Sequence, residues 1–175
     1  MRIPVISILL LSSFACGASD GSLFNYDYSD EYAEVSAETG LIPKLDDFQA
    51  VAAKARLHGV PILVEFSTPW CRYCEALEGQ ILEPLMRNEQ YRDAILLNKL
   101  EVDTFSTITG FDGKPYRSDQ IGRMYDVDVY PTLVFFDANG REISQRIVGI
   151  TVLEFIAGEL DIAIERAVQS VAETL

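Results

Sequence analysis

The apolar and polar positions along this chain fall into blocks of different period. Residues 3–11 are apolar apart from Pro4 and Ser7, and residues 19–43 sustain no apolar period at all. From residue 45 the pattern becomes regular. Phe48, Val51, Ala52 and Ala55 recur at helical spacing behind a candidate N-cap at Asp46, and Gly59 ends that helix. Residues 60–66 are apolar except for Pro61 and Glu65 and predict a core strand. Leu77 and Ile81 then set the inward face of a helix that Pro84 disturbs, a polar stretch covers 87–93, and a second strand follows at 95–102. Strand, helix and strand make a right-handed parallel unit.

The second half continues the alternation. Residues 103–118 hold Gly110, Gly113 and Pro115 and read as a polar surface loop or small insertion. A short helix is expected at 119–125, an apolar strand at 131–136, a tight turn at 137–140 and an antiparallel partner strand at 141–148. Thr151 and Glu154 have capping-box spacing, and Leu153, Ile156, Leu160, Ala163, Ala167 and Val171 form one stripe of a closing helix. The expected domain is therefore α/β, with a mixed sheet flanked by helices over residues 45–175.

The first 18 residues have the layout of an export signal: Arg2, an apolar stretch well short of the roughly 20 residues that span a bilayer, then small residues. Two processing routes stay open. Cys16, Gly17 and Ala18 suit ordinary cleavage, whereas Ser13, Phe14, Ala15 and Cys16 resemble a degenerate lipobox that would lipidate Cys16 and give a lipid anchor. Residues 19–44 read as an acidic tether containing Tyr26, Tyr28 and Tyr32. The expected location is periplasmic or otherwise exported. A formal net charge of −13 argues against nucleic acid or an anionic membrane surface as partner.

The candidate chemistry lies directly after the first strand, where Cys71 and Cys74 flank Arg72 and Tyr73 behind Trp70. A thiol at a helix N-terminus is stabilised as thiolate by unpaired N–H groups, and a second thiol one turn on lies on the same face. The pair has the spacing of a redox dithiol and also of half a zinc site. A closed zinc site takes four ligands, and Cys16, Cys71, Cys74 and His58 are all the cysteines and histidines the chain has. With Cys16 in the signal and His58 ahead of the strand, no resident metal is expected. A Cu(I) carrier, needing fewer soft ligands, stays open.

The run Ile62, Leu63, Val64, Glu65, Phe66, then Trp70 to Cys74, then Lys99 to Asp103, then Val129, Tyr130, Pro131, Thr132 and Leu133, then Gly149, resembles the thioredoxin family and, more finely, its exported SoxW-type branch. The resemblance implies a thioredoxin-like fold and thiol–disulfide oxidoreductase activity on protein thiol or disulfide clients, with the cysteine pair itself as redox group and no further cofactor. It implies Cys71 as nucleophile, Cys74 as resolving thiol, Glu65 as the buried acid behind them and Lys99 as that acid's neighbour. It implies a cis-proline at Pro131, with Tyr130 and Thr132 facing the dithiol, and substrate contacts from Trp70 and Gly149. Arg72 and Tyr73 match neither the strongly oxidising nor the strongly reducing members, so the expectation is a reductant of intermediate potential fed by a membrane electron donor. A disulfide-donating oxidase and a redox-silent interaction module remain the alternatives.

Overall fold

A computed structural model describes residues 42–150 and 152–174. Helix α1 (Phe48–His58) leads to β1 (Ile62–Ser67), and α2 (Arg72–Leu77) runs through a π-helical turn (Glu78–Leu82) into α3 (Glu83–Arg87). Then come α4 (Glu89–Arg92), β2 (Leu96–Glu101), the hairpin β3 (Thr107–Thr109) and β4 (Pro115–Arg117), α5 (Ser118–Met124), β5 (Thr132–Phe136), β6 (Ile147–Val148) and α6 (Leu153–Ala172). The main sheet has the order β2-β1-β5-β6, with β1 and β2 parallel and the other pairs antiparallel. Among the described residues no helix is long and apolar enough to cross a membrane.

Side chains alternate faces along each strand, and here both faces are covered. Leu63, Leu97, Leu133 and Phe135 belong to a core with Leu77, Leu82, Ile156 and Leu160 of the α2–α3 and α6 side. Ile62, Val64, Phe66, Leu96, Leu100, Val134 and Phe136 belong to a second core with Phe48, Ala52 and Ile121 of the α1 and α5 side. Glu65, two residues beyond Leu63, and Lys99, two beyond Leu97, therefore stand on the α2 face, where β1 and β2 place them directly in register.

Several expectations shift in physically legible ways. Asp47 rather than Asp46 caps α1, its carboxylate accepting from the Ala50 N–H at 2.9 Å. Residues 42–44, assigned to the tether, belong to the fold: Ile42 is buried, and Lys44 bridges Lys99 alongside β2. Residues 103–118 are not a polar surface loop throughout, because β3 pairs with β4, Ile108 is buried and Phe111 lies 4.6 Å from Phe48, centroid to centroid. A hairpin that presents apolar side chains in turn-rich sequence is easily mistaken for a loop. The 141–148 partner strand is interrupted: Phe136 bridges Glu142, yet Leu133 pairs with Ile147, so two extra residues loop out between them and only Ile147–Val148 remain as β6.

Pro84 acts as expected. Lacking an N–H, it sits in the first turn of α3, and ahead of it the Glu83 N–H reaches back five residues to the Glu78 carbonyl. The signal, most of the tether, Cys16 and Thr151 lie outside the described residues, as does the Glu154 side chain, so the capping box does too; α6 begins after Val152.

Candidate active site: a disulfide over a buried carboxyl

Strand β1 ends at Ser67, and Cys71 is the N-cap of α2, with extended backbone at φ −81° and ψ 93°. Its sulfur accepts from the Cys74 N–H at 3.1 Å, the N-terminal donor geometry that favours negative charge on that atom. Cys71 and Cys74 form a disulfide with Cα atoms 5.2 Å apart. Cys71 is half-buried at the surface, whereas Cys74 is 1 % exposed. That asymmetry divides the labour: one sulfur is open to an approaching group and the other meets only its partner.

Cys74 and Glu78 lie four residues apart, so they share one helix face. That face meets the sheet at Lys99, whose ammonium donates to Glu78 Oε1 at 2.6 Å. Glu101 Oε1 lies 3.7 Å from the same ammonium, while its Oε2 accepts from Lys44 at 2.9 Å. Glu65, in register with Lys99, is 0 % exposed and neither carboxyl oxygen has a hydrogen-bond partner. Burial, with the negative fields of Glu78 and Glu101 outweighing the pull of Lys99, pushes the Glu65 carboxyl up to about 8. Burial opposes the charged form of Lys99 as well, but the Glu78 hydrogen bond and the surrounding carboxylates hold it above the ordinary lysine range.

The expected residues therefore divide. Glu65 and Lys99 stand in register on the α2 face of β1 and β2, and Cys71 and Cys74 open the helix whose continuation carries Glu78 to Lys99. Trp70, at φ 74° and 96 % exposed, stands on the rim beside Cys71. The Tyr130–Pro131 peptide is cis, and Thr132 pairs with Phe66, which places Pro131 beside the last residue of β1. Gly149, at φ +66°, donates its N–H to the Pro131 carbonyl at 2.8 Å, and a Cβ there would meet Val129 at 3.4 Å.

Thr132 departs from expectation. It is buried, paired with Phe66 of the α1-side core, and its hydroxyl donates to the Val129 carbonyl at 2.7 Å. Tyr130 likewise packs against the α1-side core. The period of two that puts Leu133 on the α2 face turns Thr132 to the other, so it shapes the loop instead of facing the dithiol. Glu78 and Glu101 were not singled out in the sequence; Glu78 falls four residues after Cys74, and that spacing was the one available signal. Among the described residues no three His, Cys, Asp or Glu side chains are grouped so as to hold a metal ion, leaving the two cysteines as the soft ligands.

A mixed sheet whose first long strand delivers a Cys-X-X-Cys disulfide to a helix N-terminus, above a buried carboxyl, defines a class of proteins that carry a dithiol on a thioredoxin-like fold. A thioredoxin-like domain model matches residues 48–162, and the chain belongs to that family. It is similar to a protein disulfide-isomerase of Drosophila melanogaster, 26% identical over 137 residues that make up 78% of this chain and 22% of the relative. It is also similar to a protein disulfide-isomerase of Neurospora crassa, 30% identical over 110 residues, 63% of this chain and 25% of the relative. The chain thus spans about a quarter of the length of these curated relatives. The structure of Fasciola hepatica thioredoxin, 20% identical, overlays 72% of this chain and 99% of that one with a TM-score of 0.50, a likeness of fold.

Proposed function

We propose that this protein is an exported thiol–disulfide oxidoreductase that reduces protein disulfides. The observation that carries the reading is the unequal burial of Cys71 and Cys74 across one disulfide, with the Glu65 carboxyl on the same face of the sheet.

In the reduced state the Cys71 thiolate attacks one sulfur of a client disulfide. The client S–S bond breaks, the leaving client thiolate takes a proton from solvent, and Cys71 is left in a mixed disulfide. Cys74 then gives its proton to ionised Glu65 and attacks Cys71 sulfur. The second client thiolate leaves and is protonated, and the Cys71–Cys74 disulfide forms. The client gains two electrons and two protons, and an electron donor, here taken to be a membrane dithiol carrier, restores the pair. A carboxyl that titrates near 8 is suited to this relay because its two forms are both populated around neutral pH. Trp70, Pro131 and Gly149 frame the approach of the client. The signal-like residues 1–18 support export, and Cys16 offers the lipid anchor.

Cys74→Ser tests the reading. It removes the resolving thiol and should accumulate a mixed disulfide between Cys71 and a disulfide-bonded client such as insulin, released by dithiothreitol, while Cys71→Ser accumulates none. Absence of the adduct with Cys74→Ser would remove the proposal and bring Cu(I) carriage by the two thiols forward, to be read by metal titration of the reduced protein.

A further inference from the structure

Lys99 is one cation among three carboxylates. Glu65 stands in register with it on β1, Glu101 lies on its own strand, and Glu78 reaches it from the π-helical turn after α2. Lys44, on the edge segment, holds the far oxygen of Glu101, and Cys74, one turn before Glu78, is held in the disulfide. The ammonium makes its 2.6 Å hydrogen bond with Glu78, at the partly exposed end of the cluster, and none with Glu65 at the buried end.

From this geometry we infer that Glu78 is a positioning residue for the buried acid: by holding Lys99 it denies Glu65 an ion-pair partner and so keeps Glu65 able to carry a proton. The inference rests on the relay reading of Glu65 above. It has a simple electrostatic basis. A carboxyl that gains a cation within about 4–6 Å loses its proton one to three units lower, so a Lys99 released from Glu78 would shift the relay toward its ionised form. Loss of the Glu78 charge acts in the same direction, since the field of Glu78 opposes ionisation of Glu65.

The test is the titration of Glu65, followed by side-chain carboxyl 13C NMR in the full chain in its disulfide form, with Glu65→Gln to assign the signal. Glu78→Gln should lower the Glu65 midpoint by about one unit or more. In a Lys99→Met background the same substitution should produce a clearly smaller shift, because the cation it would release is gone. Glu78→Ala, which removes the same carboxylate, gives the reading again should Glu78→Gln not fold. An unchanged midpoint in a folded Glu78 variant overturns the inference, and so does an equal shift with and without Lys99, which would reduce Glu78 to a distant charge. Because the titration is read in the resting disulfide form, its result is independent of whether the pair exchanges disulfides with a client. In the reduced protein, the pH profile of client reduction should move acidward with the Glu65 midpoint.

Discussion

Glu65 and Lys99 face each other in register across β1 and β2, yet the lysine hydrogen-bonds Glu78 and leaves both Glu65 oxygens without a partner. A carboxyl so placed is a stability liability whenever it must ionise. Its folded midpoint, about 8, lies above the ordinary glutamate value of 4.5. Below the lower value it is neutral in both folded and unfolded chains and has no effect. Between the two, the unfolded chain releases a proton that the folded one keeps, so stability falls as pH rises, and above about 8 the loss is complete. The span corresponds to at most roughly 4–5 kcal/mol. Glu65→Gln should remove that slope: urea unfolding of the oxidised protein from pH 5 to 9 would show a declining stability in the wild type and a nearly flat one in the variant.

On the proposed reading, Trp70 contributes to client recognition without holding the fold. It is 96 % exposed, so Trp70→Ala should change unfolding free energy by no more than about 0.5 kcal/mol. The expected loss is in KM for a disulfide-bonded protein, with little change for a small disulfide such as oxidised glutathione. A steady-state comparison of the two substrates checks this.

Asp137 fixes the turn that follows β5. Its Oδ1 accepts from the Asn139 and Arg141 N–H groups at 2.8 and 2.9 Å, and its Oδ2 from Arg141 Nε at 3.0 Å. Burial works against the charged form, but these donors prevail and hold the carboxyl below the usual range. The stability it lends is present above the ordinary aspartate value and is lost as pH falls through the lowered one. Asp137→Ala should cost about 1–3 kcal/mol at pH 7, and the difference from wild type should shrink in acid, as denaturant titrations at pH 7 and pH 3 would show.

Phe48 is the hub of the α1-side core, fully buried and within ring-contact range of Phe111, Tyr125 and Phe136. Phe48→Ala should destabilise by about 3–5 kcal/mol, measured by chemical denaturation, without altering the thiol chemistry of the refolded protein.

How much of this was readable beforehand follows from which interactions are local. The dithiol, its helix, the closing helix stripe and the apolar strands carry their own period, so the fold could be drawn from residues 45 onward. The face on which Glu65 lies could not, because β1 is buried on both sides and its apolar run hides the alternation. Only the pairing of β1 with β2 and β5 fixes that phase, and the same pairing turns Thr132 away from the dithiol. Phe111 was hidden by the glycines and charges around it, although it inserts among Phe48 and Phe136. Glu78 carries no signal beyond its place four residues after Cys74, because the hydrogen bond that distinguishes it comes from a lysine 21 positions further on.

Whether Cys71 and Cys74 form a reversible two-electron couple is read by counting free thiols after equilibration of the full chain in glutathione buffers of graded ratio. Both thiols should appear and disappear together with a single midpoint between about −270 and −120 mV, nearer the reducing end. A pair that stays fully reduced or fully oxidised across the whole series would contradict it.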